Sequence, residues 1–217
     1  MPRIIDILLS TLLLLILLPL FIPLCLILLL TGENKVFYLQ NRVGFKNQNF
    51  KIIKFATMLE NSPNLGSGSL TLKNDPRVLP IGSFLRKTKI NELPQIINIL
   101  KGDISLVGPR PLVTKTFSAY NEDVQSKIYN VKPGLTGIGS IIFRDEESII
   151  SAVTDEDPHE FYKRVIAPYK GELEMWYQQH NSFFLDLQLI FMTAWVILVP
   201  NSKLYEKWFK DLPKRKF

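Results

Sequence analysis

The first feature of the chain is a run without any charge. From Ile7 to Leu30 the residues are almost all Leu and Ile, interrupted by Ser10, Thr11, Pro19, Phe21, Pro23 and Cys25. As a straight helix the run would extend about 36 Å, enough to cross a hydrocarbon core of roughly 30 Å. Three forms fit it: a cleaved signal peptide, a spanning helix, and a helix-break-helix hairpin that enters and leaves on one face. A signal peptide fits worst, because the run exceeds the usual core of ~7–15 residues and Thr31-Gly32-Glu33-Asn34 is a poor cleavage site. Pro19 and Pro23 fall near the middle, where each removes a backbone donor and crowds the preceding turn, so a break or kink is expected there. Proline also occurs in true spans. Arg3 before the run and Lys35, Arg42 and Lys46 after it make both flanks basic, a pattern the hairpin satisfies and a single span violates at one end.

Beyond residue 32 the pattern changes. Val36 to Gln40 and Phe50 to Phe55 alternate apolar and polar residues about Gly44 and predict a small hairpin. Asn61 to Asn74, rich in Ser, Gly and Asn, predicts a mobile surface loop. Leu93 to Leu100 has helical spacing after an early proline and predicts a short buried helix ended by Gly102. Ile104 to Val107 reads as a strand, Ser118 to Asn130 as a polar helix, and Pro133-Gly134 as a turn. Phe161 to Gln179 mixes aromatics with charges as an amphipathic helix does. Phe183 to Pro200 is apolar but begins with Asp186 and is followed by Lys203, Lys207, Trp208 and Lys210, which suits a helix lying at the membrane interface better than one crossing it.

Composition narrows the classes. A length of 217 residues suits one core plus a membrane element, and the net charge of +6 falls in the body, since Arg3 and Asp6 cancel. A basic body favours anionic partners such as phospholipid headgroups or nucleotide phosphates, and no nucleic-acid-binding motif accompanies the charge. The single Cys25 rules out an intrachain disulfide, and His159 and His180 lack partners at zinc-ligand spacing. Exposed Phe and Trp near the C-terminus suit lipid or a partner subunit, which leaves an oligomer open.

The strings Phe37-Tyr38-Leu39-Gln40-Asn41-Arg42-Val43-Gly44, Lys54-Phe55-Ala56-Thr57-Met58 and Asp75-Pro76-Arg77 form one set. With it go Leu85 to Gln95, Gly102 to Pro111 and Lys132-Pro133-Gly134-Leu135-Thr136-Gly137. In combination the chain resembles the bacterial sugar transferases called monotopic polyprenyl-phosphate phosphoglycosyltransferases, over nearly its whole length. The resemblance implies an α/β (α+β) catalytic body, residues 33–217, with amphipathic interfacial helices, carried on an N-terminal re-entrant membrane helix, residues 1–32. It implies transfer of a sugar phosphate from a nucleotide diphosphosugar, typically a UDP-sugar, to polyprenyl phosphate such as undecaprenyl phosphate, with release of UMP. It further implies Mg²⁺ or Mn²⁺, and a place at the cytoplasmic face of the bacterial cytoplasmic membrane, in contact with the phospholipid bilayer.

Phosphoryl transfer requires neutralised oxygens and an aligned nucleophile. Arg110, between two prolines, presents a guanidinium able to grip a diphosphate bidentately. Arg86 and Arg144 match further basic positions of the family, and Lys54 is a weaker candidate. The family's Asp-Glu pair is here Asn91-Glu92: Asn91 stands at the nucleophile's position, and Glu92 at that of the residue assisting proton transfer and metal geometry. A carboxamide is a poor nucleophile and a weak Mg²⁺ ligand. Asn91 is consistent with an inactivating replacement, with a natural site served by another carboxylate, or with a catalytically silent membrane scaffold or carrier-lipid-binding protein. Ile138 to Glu147 also departs from the family's Trp-Gln-type string. One of Asp145, Glu146 and Glu147 is therefore expected near Glu92, with Asp145 a second candidate metal ligand after Glu92; an acidic run is otherwise a solvated helix start. Ala56 replaces a family Arg.

Overall fold

The computed structural model describes residues 1–68, 70–200, 202–215 and 217. The apolar run forms one helix, α1 (Arg3–Leu30), which continues through Pro19 and Pro23. The expected interruption at these prolines is thus not a gap between two helices. Each proline deletes only one donor, and the turns around them are held from outside: Phe21, Leu24 and Leu28 are buried against Phe55 and Leu85. Each such side chain contributes about 1.5–3 kcal/mol by leaving water. The other end of α1 docks by polar contacts. Arg3 donates to the carbonyls of Ile99 and Leu100, and the buried Asp6 accepts from Ser105 Oγ (2.9 Å) and the Leu106 N–H (3.0 Å). Both ends of the helix therefore rest on the same body. Between and beside these anchors Ile4, Leu8, Leu12, Leu15, Ile16 and Ile22 are exposed.

The body begins with the expected hairpin, β1 (Phe37–Val43) and β2 (Asn49–Phe55), antiparallel with Phe37 opposite Phe55 and Val43 opposite Asn49. After the loop come α2 (Pro80–Lys87), a single turn at Ile90–Glu92, α3 (Gln95–Lys101) and β3 (Ser105–Val107). Pro80 starts α2 where its missing N–H costs nothing, and Gly102 ends α3 at φ 93°, a left-handed cap that glycine adopts without strain. Next are α4 (Thr114–Phe117), α5 (Glu122–Lys127), β4 (Gly134–Thr136), α6 (Ile138–Ile142) and α7 (Glu146–Ser151). The chain closes with α8 (Pro158–Phe161), α9 (Ala167–His180), α10 (Phe183–Leu198) and α11 (Leu204–Trp208).

Four expectations change. Pro133-Gly134 leads into a strand, not a turn, because β4 pairs in parallel with β3. The polar helix expected over Ser118 to Asn130 shrinks to α5, capped by the Asn121 side chain. The Asn61 to Asn74 loop is organised by the buried Arg77, which donates to the carbonyls of Ser62, Leu65, Gly68 and Leu70 while paired with Asp75. Finally, Asp186 is not a surface charge on α10: it is buried and accepts from Tyr177 Oη at 2.8 Å. At 16 residues α10 is about 24 Å long, short of a hydrocarbon core, and it exposes Phe183, Phe184, Leu187, Phe191 and Ile197.

The main core lies between β3, α3, α6, α9 and α10, with Ile99, Ile104, Ile138, Ile166, Leu173, Leu189 and Met192 fully enclosed.

Candidate active site

The site is assembled on two backbone features. The first is the turn between α2 and α3. Lys89 adopts a left-handed φ of 62°, turning the chain so that Asn91 and Glu92 face the interior of the protein. Asn98, one turn into α3, ties this segment to β2 by donating to the Lys51 carbonyl (2.8 Å) and accepting from the Ile53 N–H (2.9 Å). That stitching places Lys54, at the end of β2, beside Glu92 at 4.0 Å.

The second feature is the Gly108-Pro109-Arg110-Pro111 turn after β3. The Gly108 N–H donates to Thr136 O and the Gly134 N–H to Pro109 O, both at 2.9 Å. Tyr129 Oη donates to Arg110 O (2.9 Å) and accepts from the Leu112 N–H (3.0 Å), while Arg42 Nη1 donates to Pro111 O (3.0 Å). With the backbone held on both sides, the Arg110 guanidinium meets Glu92 in a fork, Nη2 to Oε1 at 2.5 Å and Nη1 to Oε2 at 3.2 Å.

These residues line one cavity of about 1040 Å³. Asn91, Glu92, Arg86, Arg110, Arg144 and Lys54 are all brought to it, together with Arg42, Lys89, Glu146, Glu147 and Lys170. Asp145 is not among its lining residues, so the acidic run contributes Glu146 and Glu147 in place of the expected Asp145. The reason is helical geometry: Asp145 is the residue before α7, whereas the two glutamates form its first turn. Glu147 pairs with Arg86 (2.5 Å) and Glu146 with Lys170 (2.5 Å). One wall is apolar, built from Leu9, Leu12, Leu13 and Ile16 of α1 and Ile190, Ala194 and Ile197 of α10. Arg144 donates to the Val196 carbonyl at that wall.

Electrostatics make the polar end an anion receptor. Burial pushes the Glu92 carboxyl up, but Arg110, Lys54 and Lys89 together outweigh it and hold it far below the usual carboxylate range. Burial and the neighbouring charge of Arg42 push Lys54 well down, and burial lowers Lys89 as well. Arg42, Lys54, Arg86, Lys89 and Arg110 thus face the carboxylates of Glu92 and Glu147 at this end, an excess of basic groups that favours an anionic ligand.

Behind Arg110 lies a carboxyl that no motif or spacing singles out. Glu174 of α9 is buried and receives the Arg110 backbone N–H, and its Oε2 has no hydrogen bond. Burial raises it to about 8. Between its unfolded value of 4.5 and about 8 the native state holds a proton that the unfolded chain has lost. Stability is therefore expected to fall as pH rises through that window, by about 1.4 kcal/mol per unit. Thermal melts from pH 5 to 8 check this: Glu174→Gln should flatten the slope, and an unchanged slope would remove Glu174 as its source.

For a divalent ion the donor set is Asn91 and Glu92. Asn91 is 5% exposed, and its Oδ1 has no hydrogen bond. Among the described residues no three His, Cys, Asp or Glu side chains come close enough to form a metal cluster. The pair fits Mg²⁺ in the way that ion is often held, by one or two side-chain oxygens with substrate phosphate and water completing the shell.

A family model described as bacterial sugar transferase matches residues 1–200. The chain belongs to that family. It is 36% identical over 169 residues to the uncharacterized sugar transferase EpsL of Bacillus subtilis (strain 168), covering 78% of this chain and 73% of that one. It is 35% identical over 196 residues to the undecaprenyl-phosphate glucose phosphotransferase of Komagataeibacter xylinus, covering 88% of this chain and 34% of the relative. The undecaprenyl-phosphate galactose phosphotransferase of Salmonella typhimurium is 33% identical over 175 residues, 74% of this chain and 33% of its own length. Against these two relatives the chain spans about a third of their length.

Arg42 and Lys89 lie within the family-like strings, yet nothing in their spacing marks them as site residues. Lys170 and Tyr162 sit in an amphipathic stretch whose pattern is that of any packed helix, so only the tertiary contacts disclose them.

Proposed function

We propose that this sugar transferase moves a sugar phosphate from a UDP-sugar to polyprenyl phosphate, undecaprenyl phosphate in particular, giving polyprenyl-diphosphate-sugar and UMP at the cytoplasmic face of the bacterial membrane. The observation that carries the reading is the continuity of the cavity. Its polar end gathers Arg110, Arg86, Lys54, Lys89 and Arg42, and its apolar wall is made by α1 and α10, whose other faces are exposed Leu, Ile and Phe. A diphosphate fits the first and the start of an isoprenoid chain fits the second. The names of the undecaprenyl-phosphate relatives support the same chemistry.

In this reading α1 is re-entrant, bending near Pro19 and Pro23 within one leaflet. Contacts of both its ends with one body favour this over a span, which would carry one end away. Arg110 orients the diphosphate through its planar fork, releasing Glu92 from its resting ion pair as the substrate enters. Mg²⁺ or Mn²⁺, held by Glu92 and Asn91 Oδ1, would supply charge neutralisation on the phosphate oxygens. Lys54 and Arg86 balance the charge that accumulates on the departing UMP.

Asn91 supports a second reading, in which the fold binds carrier lipid and does not turn over. The two separate in one assay: purified protein in nanodiscs, undecaprenyl phosphate, Mg²⁺ and a panel of UDP-sugars, with UMP release and lipid-linked product as readouts. Transfer by the unaltered chain with at least one donor is expected, as is a drop of about 10²-fold or more in Glu92→Gln. Transfer by Asn91→Asp alone would establish the silent form.

A further inference from the structure

Three carboxylates line the cavity, and their surroundings differ. Both oxygens of Glu92 are taken by the Arg110 fork, with Lys54 beside them. When the incoming diphosphate displaces that fork, the proposed function assigns Glu92 to the divalent ion, which engages the lone pairs an attack would need. Glu147 is about half exposed at 47% and binds Arg86, a cation the substrate itself needs. Glu146 is different. Its side chain is 24% exposed, it reaches the cavity from the first turn of α7, and only its Oε2 is held, by Lys170 Nζ. Among the described residues no hydrogen bond occupies its Oε1.

The lysine beneath it is built in. Lys170 is 3% exposed, lies over the rings of Phe143 (5.2 Å) and Tyr162 (5.7 Å), and makes its one ion pair among the described residues with Glu146. Burial alone would lower the lysine, but the charge of Glu146, its hydrogen bond and the neighbouring Tyr162 together outweigh it and the ammonium is stabilised. Glu146 is therefore held and aimed by Lys170, with one oxygen fixed and the other open. It is also close enough to Arg110 for its charge to act on that guanidinium. Nearby cavity-lining polar atoms, Ser140 Oγ and Tyr162 Oη, are buried without hydrogen bonds, as groups awaiting a bound partner are.

We infer that Glu146 is the nucleophilic carboxylate of this chain, seated on Lys170, and that Asn91 does not take part in bond formation. The inference rests on the proposed function. Glu146 Oε1 attacks the sugar-bearing phosphorus of the UDP-sugar, and the bond from that phosphorus to the bridging oxygen breaks. UMP leaves with the bridging oxygen and its electron pair. The glutamyl phosphosugar is then attacked at the same phosphorus by an oxygen of polyprenyl phosphate, and the carboxylate is restored. No net proton is gained or lost when both phosphate monoesters are dianions.

A covalent route predicts exchange of labelled UMP into UDP-sugar with no acceptor lipid present. With the donor identified by the panel above, the unaltered chain should exchange, and its adduct should map by mass spectrometry to the peptide containing Glu146. Glu146→Gln should lose both exchange and transfer by at least about 10³-fold. Retained UDP-sugar binding by Glu146→Gln, and partial activity of Glu146→Asp, would show that the loss is chemical and not a failure to fold. Transfer without exchange, or an adduct at Glu92 or Glu147, would overturn the assignment and leave the proposed function standing. A chain that neither exchanges nor transfers with any donor would refute the proposed function and the inference with it.

Discussion

Arg110→Ala should lower UMP release by about 10³-fold or more, the scale expected when a guanidinium that stabilises charge on a transferring phosphoryl group is removed. The substitution acts twice. It deletes the fork, and it leaves Glu92, 14% exposed, without its nearest cation. Breaking a largely buried pair from one side costs about 3 kcal/mol, and Lys54 at 4.0 Å recovers only part of that. A melting experiment alongside the assay separates the effects: Arg110→Ala with Glu92→Gln should regain stability but not activity. Arg110→Lys keeps the charge and loses the bidentate geometry, so it should fall between the native chain and alanine. An Arg110→Ala protein that melts normally and releases UMP within tenfold of the native rate would exclude Arg110 as the diphosphate ligand.

Gly134→Ala should cost about 3 kcal/mol or more and remove activity with the fold. A Cβ at this position would lie 2.1 Å from Gly108 N, 2.4 Å from Thr136 O and 2.6 Å from Gly108 O. All three are backbone atoms, so no side chain can swing aside. Relief requires β3 and β4 to separate, and their pairing carries the Arg110 turn. The destabilisation belongs with overpacking and with the loss of ladder hydrogen bonds. Urea melts and UMP release test it together, and a variant within 1 kcal/mol of the native chain that still turns over would show that the strands tolerate the separation.

The same contacts explain how legible the site was. Gly108, Gly134 and Gly137 fall in two motifs that the chain order keeps more than twenty residues apart, and of these the sequence reads Pro133-Gly134 as a turn. In the structure they are one packing event: a Cβ on Gly137 would also meet Gly108 O, at 2.3 Å. The turn expected at Pro133-Gly134 was therefore a strand disguised by the glycine that close packing demands. Arg110 and Glu92 were singled out from residue type and motif, but their fork at 2.5 Å is a tertiary contact that no local pattern announced. Glu146 was indistinguishable from Asp145 and Glu147 by composition. Only the phase of α7 and the buried Lys170 from α9 separate it from them.

The prolines of α1 show the opposite limit. Sequence physics charges each proline against the local helix, and nothing local offsets that cost. The long-range partners do: Phe55 and Leu85 on one side, Ile99, Ser105 and Leu106 at the other end. The sequence by itself determined the elements whose signals are local: the uncharged run, the alternating hairpin, the Gly102 end of α3, and the cationic residue set. Which of those side chains share a cavity, which carboxylate is left with an open oxygen, and that β3 finds β4 were decided by tertiary structure. Those outcomes depend on desolvation, close packing and charge pairing between segments far apart in the chain, and no window of sequence contains both partners.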